Sequence, residues 1–236
     1  MILHRIKRKL YKLTHPVVGE IWMLHRVVEQ RSNAPEQQGL EVTSVYLEKI
    51  ITEYKSSGYS FVSIDEIFNF HFSFFDSRRW VCITFDDGYR DNYTLAYPML
   101  KRLGVPFTVY VTTGFIDNLS PMWWYPDEQL GISTEELKTM DADPLCTIGA
   151  HTVSHPRLDT LTREQQYHEI AESKQTLEAL LGHEIKHFSF PHGAHNEDTL
   201  SICRELGFQT VVQSWGGPVR RGTRYDVLPR INITEP

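Results

Sequence analysis

The chain has 236 residues, of which 41% are hydrophobic and 12% aromatic, enough apolar surface for a packed core, which excludes disorder as the overall state. No apolar run approaches the roughly 20 residues that a membrane-spanning helix needs, which excludes an integral membrane protein of that kind. The net charge is −6, yet Arg5, Lys7, Arg8, Lys9 and Lys12 crowd the first twelve residues and leave −11 on the rest, so the body of the chain is not expected to bind nucleic acid.

The opening segment repeats Ile2, Leu3, Ile6, Leu10 and Leu13 near helical spacing, so residues 1–16 read as a basic amphipathic segment ahead of a single domain over 17–236. Two readings of it stay open. Either residues 1–13 make a peripheral contact with an anionic membrane surface, or the helix docks on its own domain with its lysines solvated. The segment lacks the apolar stretch and small-residue cleavage site of a secretory signal, so the compartment reads as cytoplasmic, at the inner membrane surface if that contact is made. Glu29 to Gly39 is rich in turn formers and reads as a long loop.

Beyond it, β-rich runs alternate with helical patterns, which predicts an α/β domain. Strands are expected at Glu20–His25, Ser60–Ser63, Trp80–Thr84, Phe107–Val111, Cys146–Gly149, His187–Phe190, Gln209–Val212 and Val227–Ile231. Helices are expected at Val45–Ser56, Asn92–Leu103, Thr134–Met140, Arg163–Leu181 and Glu197–Leu206. The fourth helix is the best marked: Thr162 and Gln165 form a T-x-x-Q capping box, Tyr167, Ile170, Leu177 and Leu181 mark one face, and Gly182 can end it. A barrel and a doubly wound sheet both fit this alternation. Cys82, Cys146 and Cys203, odd in number and without a C-x-x-C pair, fit reduced, buried thiols.

Trp80 to Tyr89 is a strand running straight into Asp86, Asp87 and Gly88, and catalytic groups of α/β folds gather at such strand ends. Adjacent carboxylates repel, so keeping both ionised calls for a cation or strong donors nearby. A tight turn capped by Asp87 would explain the Asp-Asp-Gly run taken alone. Thr147 to His155 is a second short strand leading into polar groups, and the spacing of four lets His151 and His155 reach one metal. Two imidazoles with the Asp87 carboxylate make the three-ligand set of catalytic sites that leave a position for water. Walker-type loops, G-x-G-x-x-G and G-x-S-x-G are absent from the sequence, which moves nucleotide-driven and serine-hydrolase chemistry out of first place.

From Ile21 to Ile233 the chain resembles the polysaccharide deacetylases of carbohydrate esterase family 4, the NodB-homology proteins. Their T-F-D-D-G motif stands here as Thr84 to Gly88 and their H-[ST]-x-x-H motif as His151 to His155. The resemblance implies a distorted (β/α) barrel of about seven strands, Asp86 as general base, and Asp87, His151 and His155 as ligands of a divalent metal such as zinc. The third motif, R-x-P-[YFW]-G, is similar to Ser189-Phe190-Pro191-His192-Gly193, with serine where the family's base-orienting arginine stands. Its proline sets a rigid turn whose next N–H, that of His192, is a candidate oxyanion donor. No clear fourth motif is found.

The final motif, L-x-H, reads Leu228-Pro229-Arg230, so the usual acid histidine is missing; Arg230 either supplies the charge lost at Ser189 or is an exposed arginine. Ile21 to Val27 resembles the Tyr-His-x-Val strand of poly-N-acetylglucosamine deacetylases, whose histidine serves as the acid, which makes His25 the candidate. A histidine making one structural hydrogen bond is the competing reading. Trp123-Trp124-Tyr125 resembles segments of envelope-polysaccharide deacetylases, and those rings either stack on sugars or pack in the core. His183, His187, His192 and His195 lack a common face for a second metal. The expected activity is metal-dependent removal of N-acetyl groups from an acetamido-sugar glycan, free or lipid-linked. The alternatives are a retired carbohydrate-binding scaffold on the same fold and a hydrolase of another linear or cyclic amide.

Overall fold

The computed structural model describes residues 15–69, 79–126 and 128–236. The expected amphipathic helix and its membrane contact through residues 1–13 therefore lie outside the described residues. Strand β1 (Val17–Leu24) leads into a small parallel pair, β2 (Arg26–Val28) beside β3 (Glu41–Thr43), then α1 (Ser44–Ser56), β4 (Ser60–Phe61) and α2 (Ile64–Asn69). Strands and helices then alternate: β5 (Trp80–Phe85), α3 (Tyr97–Leu103), β6 (Phe107–Val111), α4 (Thr134–Asp141), β7 (Cys146–Ala150), α5 (Arg163–Leu181), β8 (His187–Ser189) and α6 (Glu197–Glu205). The last strands are β9 (Thr210–Gly216), β10 (Val219–Arg220) and β11 (Leu228–Asn232).

Strands β1, β5, β6, β7, β8, β9 and β11 pair in parallel in that order, and β11 returns to β1. A seven-stranded closed barrel is the result, which decides between the two architectures left open by periodicity. Its irregularity lies along two edges. β1 pairs with all six residues of β5, so the other edge of β5 is shared, Trp80 and Val81 with β4 and Ile83 to Phe85 with β6. β1 is shared likewise, its start with antiparallel β10 and its end with β11.

Barrel strands are buried on both faces, so they read as continuous apolar runs. Along β5, Val81, Ile83 and Phe85 join the large core that also holds Leu100, Ile170 and Ile202 of the helices, while Trp80 and Cys82 pack with Ile21, Tyr110 and Leu228 in a second cluster. At about 1.5–3 kcal/mol for each large apolar side chain removed from water, these two layers hold the barrel. The two-residue period carries Thr84 and Asp86 onto the same side as Trp80 and Cys82, where both are buried. Gly149 on β7 makes room there, since a Cβ would lie 2.5 Å from the Tyr110 ring.

Helix α2 departs from the expected strand at Ser60–Ser63, which stops at Phe61. Ile64 and Ile67 of this short helix are buried against the second cluster, and its start carries a reciprocal cap: Glu66 N–H donates to Ser63 Oγ at 3.1 Å and Ser63 N–H to Glu66 Oε2 at 2.7 Å. The expected helix at Asn92–Leu103 begins as a π-helical turn, Asn92–Ala96, before α3. The fourth expected helix, α5, has its capping box and ends at Gly182 with φ +79°. Its buried face differs from the expected one, because Tyr167 is 42% exposed while Gln166 and Lys174 are buried. Polar partners explain the exchange: Gln166 donates to Leu161 O and accepts from Thr199, and Lys174 donates to Ile185 O and pairs with Glu178. All three cysteines are free and buried.

Candidate active site

Strand register assembles the site at the carboxyl ends of the barrel. Leu24 pairs with Phe85, so His25 and Asp86 leave β1 and β5 side by side, and Asp86 N–H donates to Leu24 O at 2.9 Å. Val111 pairs with Ala150 in the same way, and His151 N–H donates to Val111 O.

Asp87, His151 and His155 converge, each offering one ligand atom within 4.8 Å of the other two, and all three are buried. Among the described residues they are the only such group. His151 Nδ1–H donates to Ser189 O at 2.8 Å, which fixes the tautomer and leaves Nε2 directed at Asp87 Oδ1, 3.4 Å away. His155 Nε2 lies 3.3 Å from the same oxygen, which has no hydrogen-bond partner in the molecule. A buried carboxylate oxygen without a donor, faced by two imidazole nitrogens, fits a divalent cation. Burial pushes the His155 imidazole down to about 3, keeping it neutral as a ligand must be. Burial raises the Asp87 carboxyl, but the neighbouring imidazoles of His155, His151 and His25 outweigh it and hold the group well below the usual range. Burial likewise lowers His151, and there Asp86 and Asp87 prevail and raise it. Backbone strain gathers here. Asp87 (φ +74°), Thr152 (+69°), His155 (+60°) and His192 (+56°) are four of the six non-glycine residues with positive φ among those described, and such strain costs on the order of 1–3 kcal/mol each.

Asp86 stands outside the metal group and has its own partner. Arg230, fully buried, grips it in fork geometry, Nη1 to Oδ1 at 2.7 Å and Nη2 to Oδ2 at 2.6 Å. The same guanidinium donates to Thr84 Oγ1, Ser189 Oγ and Gln213 O, which saturates it. Of the two sequence readings of Arg230, the exposed arginine is therefore set aside. The small Ser189 side chain leaves the space that a larger residue on β8 would fill, and the arginine arrives from β11 instead. Burial alone would raise the Asp86 carboxyl, but Arg230 and His151 hold it below the ordinary carboxylate range.

A cavity of about 320 Å³ opens over these groups, with Asp86 and Asp87 at its floor and His25, Trp124 and His192 among its walls. His25 is half-buried, and its strand end is held by residues that motif reading overlooked. Asn92 Nδ2 donates to His25 O at 2.8 Å, and Asp91 accepts from Val27 N–H and from Arg26 Nε. Arg26, over the rings of both Tyr89 and Tyr125, and its neighbour Asp91 are the kind of part-buried charge pair that a paired D-N and H-R in sequence can hint at but not locate. The His192 ring centroid is 4.6 Å from that of His155. Of Trp123-Trp124-Tyr125, Tyr125 takes the core-packing reading. Tyr125 is buried, Trp124 Nε1 donates to Tyr89 OH at 2.6 Å, and Trp123 is 64% exposed with its ring 6.4 Å from His192.

Residues 76–211, more than half of the chain, match the family model described as polysaccharide deacetylase. Among curated relatives, the putative polysaccharide deacetylase YxkH of Bacillus subtilis (strain 168) is 32% identical over 158 residues, 67% of this chain and 53% of the relative. The poly-beta-1,6-N-acetyl-D-glucosamine N-deacetylase of Staphylococcus aureus (strain N315) is 24% identical over 212 residues, 86% of this chain and 71% of the relative. The chain spans about half the length of YxkH and of the B. subtilis peptidoglycan-N-acetylmuramic acid deacetylase PdaA, which it also matches. Among solved structures, the Streptococcus pyogenes deacetylase PplD in complex with acetate superposes with a TM-score of 0.78 over 93% of both chains at 26% identity. IcaB from Ammonifex degensii gives 0.76 over 92% of both chains at 24% identity, the same fold.

Proposed function

We propose, from the premise that the chain belongs to the polysaccharide deacetylase family, that it is a metal-dependent hydrolase removing N-acetyl groups from an acetamido sugar of an envelope glycan, free or lipid-linked. The observation that carries the reading is Asp86: a buried carboxylate, outside the Asp87–His151–His155 group yet beside it, kept ionised by a dedicated arginine. A site built only to hold a metal, or a retired scaffold, has no use for a second buried carboxylate that costs several kcal/mol to desolvate.

Asp87, His151 and His155 would hold a divalent ion such as zinc, which would supply Lewis acidity toward the acetamide carbonyl and the attacking water. Asp86 accepts the proton of that water, and Arg230 keeps its carboxylate oriented for the transfer. The His192 N–H donates to the oxyanion that develops on the acetamide oxygen. His25 gives the departing amine its proton, without which it is a very poor leaving group. The products are acetate and a free amino sugar, and Trp123 at the rim offers a face on which a sugar ring stacks.

Acetate release from a panel of N-acetylated oligosaccharides, with and without chelator, tests the reading. Release that stops on chelation and returns with zinc is expected. Glycan binding without release from any member of the panel would favour the scaffold. His25 has its own expected outcome: His25→Ala slows amide cleavage more than cleavage of an activated acetate ester, whose leaving group needs little protonation, with metal content unchanged. Equal losses on the two substrates would remove His25 from the acid role.

A further inference from the structure

The three residues between His151 and His155 form a strained loop, closed locally by His155 N–H donating to Thr152 Oγ1 at 3.1 Å. Thr152 and His155 both lie in the left-handed region, and a β-branched threonine at φ +69° is an outlier that relaxes unless its surroundings forbid it. Relaxation would turn the two imidazoles away from a common point. Contacts from two sides prevent it. From α5, one oxygen of Glu169 accepts the N–H groups of Val153 and Ser154, both at 2.9 Å, and the other accepts the Ser154 hydroxyl at 2.6 Å. From the segment after β6, Thr113 N–H donates to Thr152 O at 3.1 Å and Gly114 N–H to Val153 O at 2.9 Å. That second approach needs glycine, because a Cβ at position 114 would lie 2.5 Å from Val153 O.

Glu169 and Gly114 lie outside both sequence motifs and are not among the residues lining the cavity. We propose that they form a two-sided clamp that presets the spacing of the His151 and His155 nitrogens, making both of them positioning residues for metal affinity. The proposal rests on reading Asp87, His151 and His155 as metal ligands. Groups that orient ligands without touching the metal are worth roughly 10- to 100-fold in affinity in other sites.

The test is a zinc titration of chelator-stripped protein against a competing chromophoric chelator, alongside thermal melts of the metal-free forms. Glu169→Ala and Gly114→Ala are each expected to weaken zinc binding by about 10- to 100-fold. Glu169→Gln, whose amide oxygen can still accept both backbone N–H groups, is expected to stay near wild type. Ser154→Ala removes only the hydroxyl bond and is expected to fall between them, which keeps the comparison alive should Glu169→Ala or Gly114→Ala not fold. Wild-type affinity in the variants, with or without a lowered melting temperature, would overturn the clamp and mark these residues as merely structural. Wild-type protein that takes up no zinc would overturn the metal reading and the clamp together, a result distinct from the first.

Discussion

Arg230→Met is expected to destabilise the fold by about 3–5 kcal/mol, the scale on which removing one partner of a buried ion pair leaves its counter-charge uncompensated. The guanidinium makes five hydrogen bonds within the barrel, two of them to Asp86, and methionine can replace none. The pH dependence has a definite sign. In the wild type the Asp86 carboxyl is depressed, so its contribution is complete above the unfolded carboxylate range and is lost as pH falls through the lower folded value. In the variant only His151 and His25 still oppose burial, so Asp86 rises relative to the wild type and the variant lacks that carboxylate's contribution above pH about 4. The gap between the two proteins in urea denaturation should therefore be widest near neutral pH and narrow in acid. A gap independent of pH would mean that packing, and not the ion pair, accounts for the loss.

Asp86→Asn is expected to lower amide turnover by about 10² or more, the scale for a lost general base, while zinc stoichiometry is retained. The substitution also leaves Arg230 as a buried cation without its counter-charge, so reduced stability should accompany reduced activity. The double variant Asp86→Asn/Arg230→Met separates the two effects. It should be more stable than the losses of the single variants would sum to, because no lone charge remains, yet it should stay as inactive as Asp86→Asn. Turnover within a few-fold of wild type in Asp86→Asn would withdraw Asp86 from the role of base.

Much of the site was legible because its chemistry is local in sequence. Asp86 and Asp87 end an apolar strand, and His151 and His155 are four apart, so strand-end placement alone brought them to one rim. Arg230 is legible in sequence as one of two readings, a replacement for the charge missing at Ser189 or an exposed arginine, and the pairing of β11 with both β1 and β9 decides between them by carrying it into the barrel interior beside Asp86. Asn92, Glu169 and Gly114 act through backbone groups of other segments, and nothing in their neighbours' side chains announces that. Helix α2 gives no clear signal in sequence although Ser63 and Glu66 spell out a capping box, because six residues with apolar side chains only at Ile64, Ile67 and Phe68 make a periodicity too short to register. The face of α5 was misjudged for the opposite reason. Tyr167 counts as apolar and Gln166 and Lys174 as polar on any scale, whereas the burial of the latter two rests on partners that include Thr199 and Ile185, 33 and 11 residues away.

Placing the cation for Asp86 on the last strand has a consequence for the order of events during synthesis. The carboxylate emerges 144 residues before the arginine that neutralises it. Until β11 docks between β1 and β9, the sheet has two open edges and a naked carboxylate faces its interior. Pairing of the Asp86 carboxylate and closure of the barrel thus arrive in a single step, and a chain cut off before β11 would be prone to edge-to-edge association. The strand that finishes the fold is also the one that brings Asp86 its counter-charge.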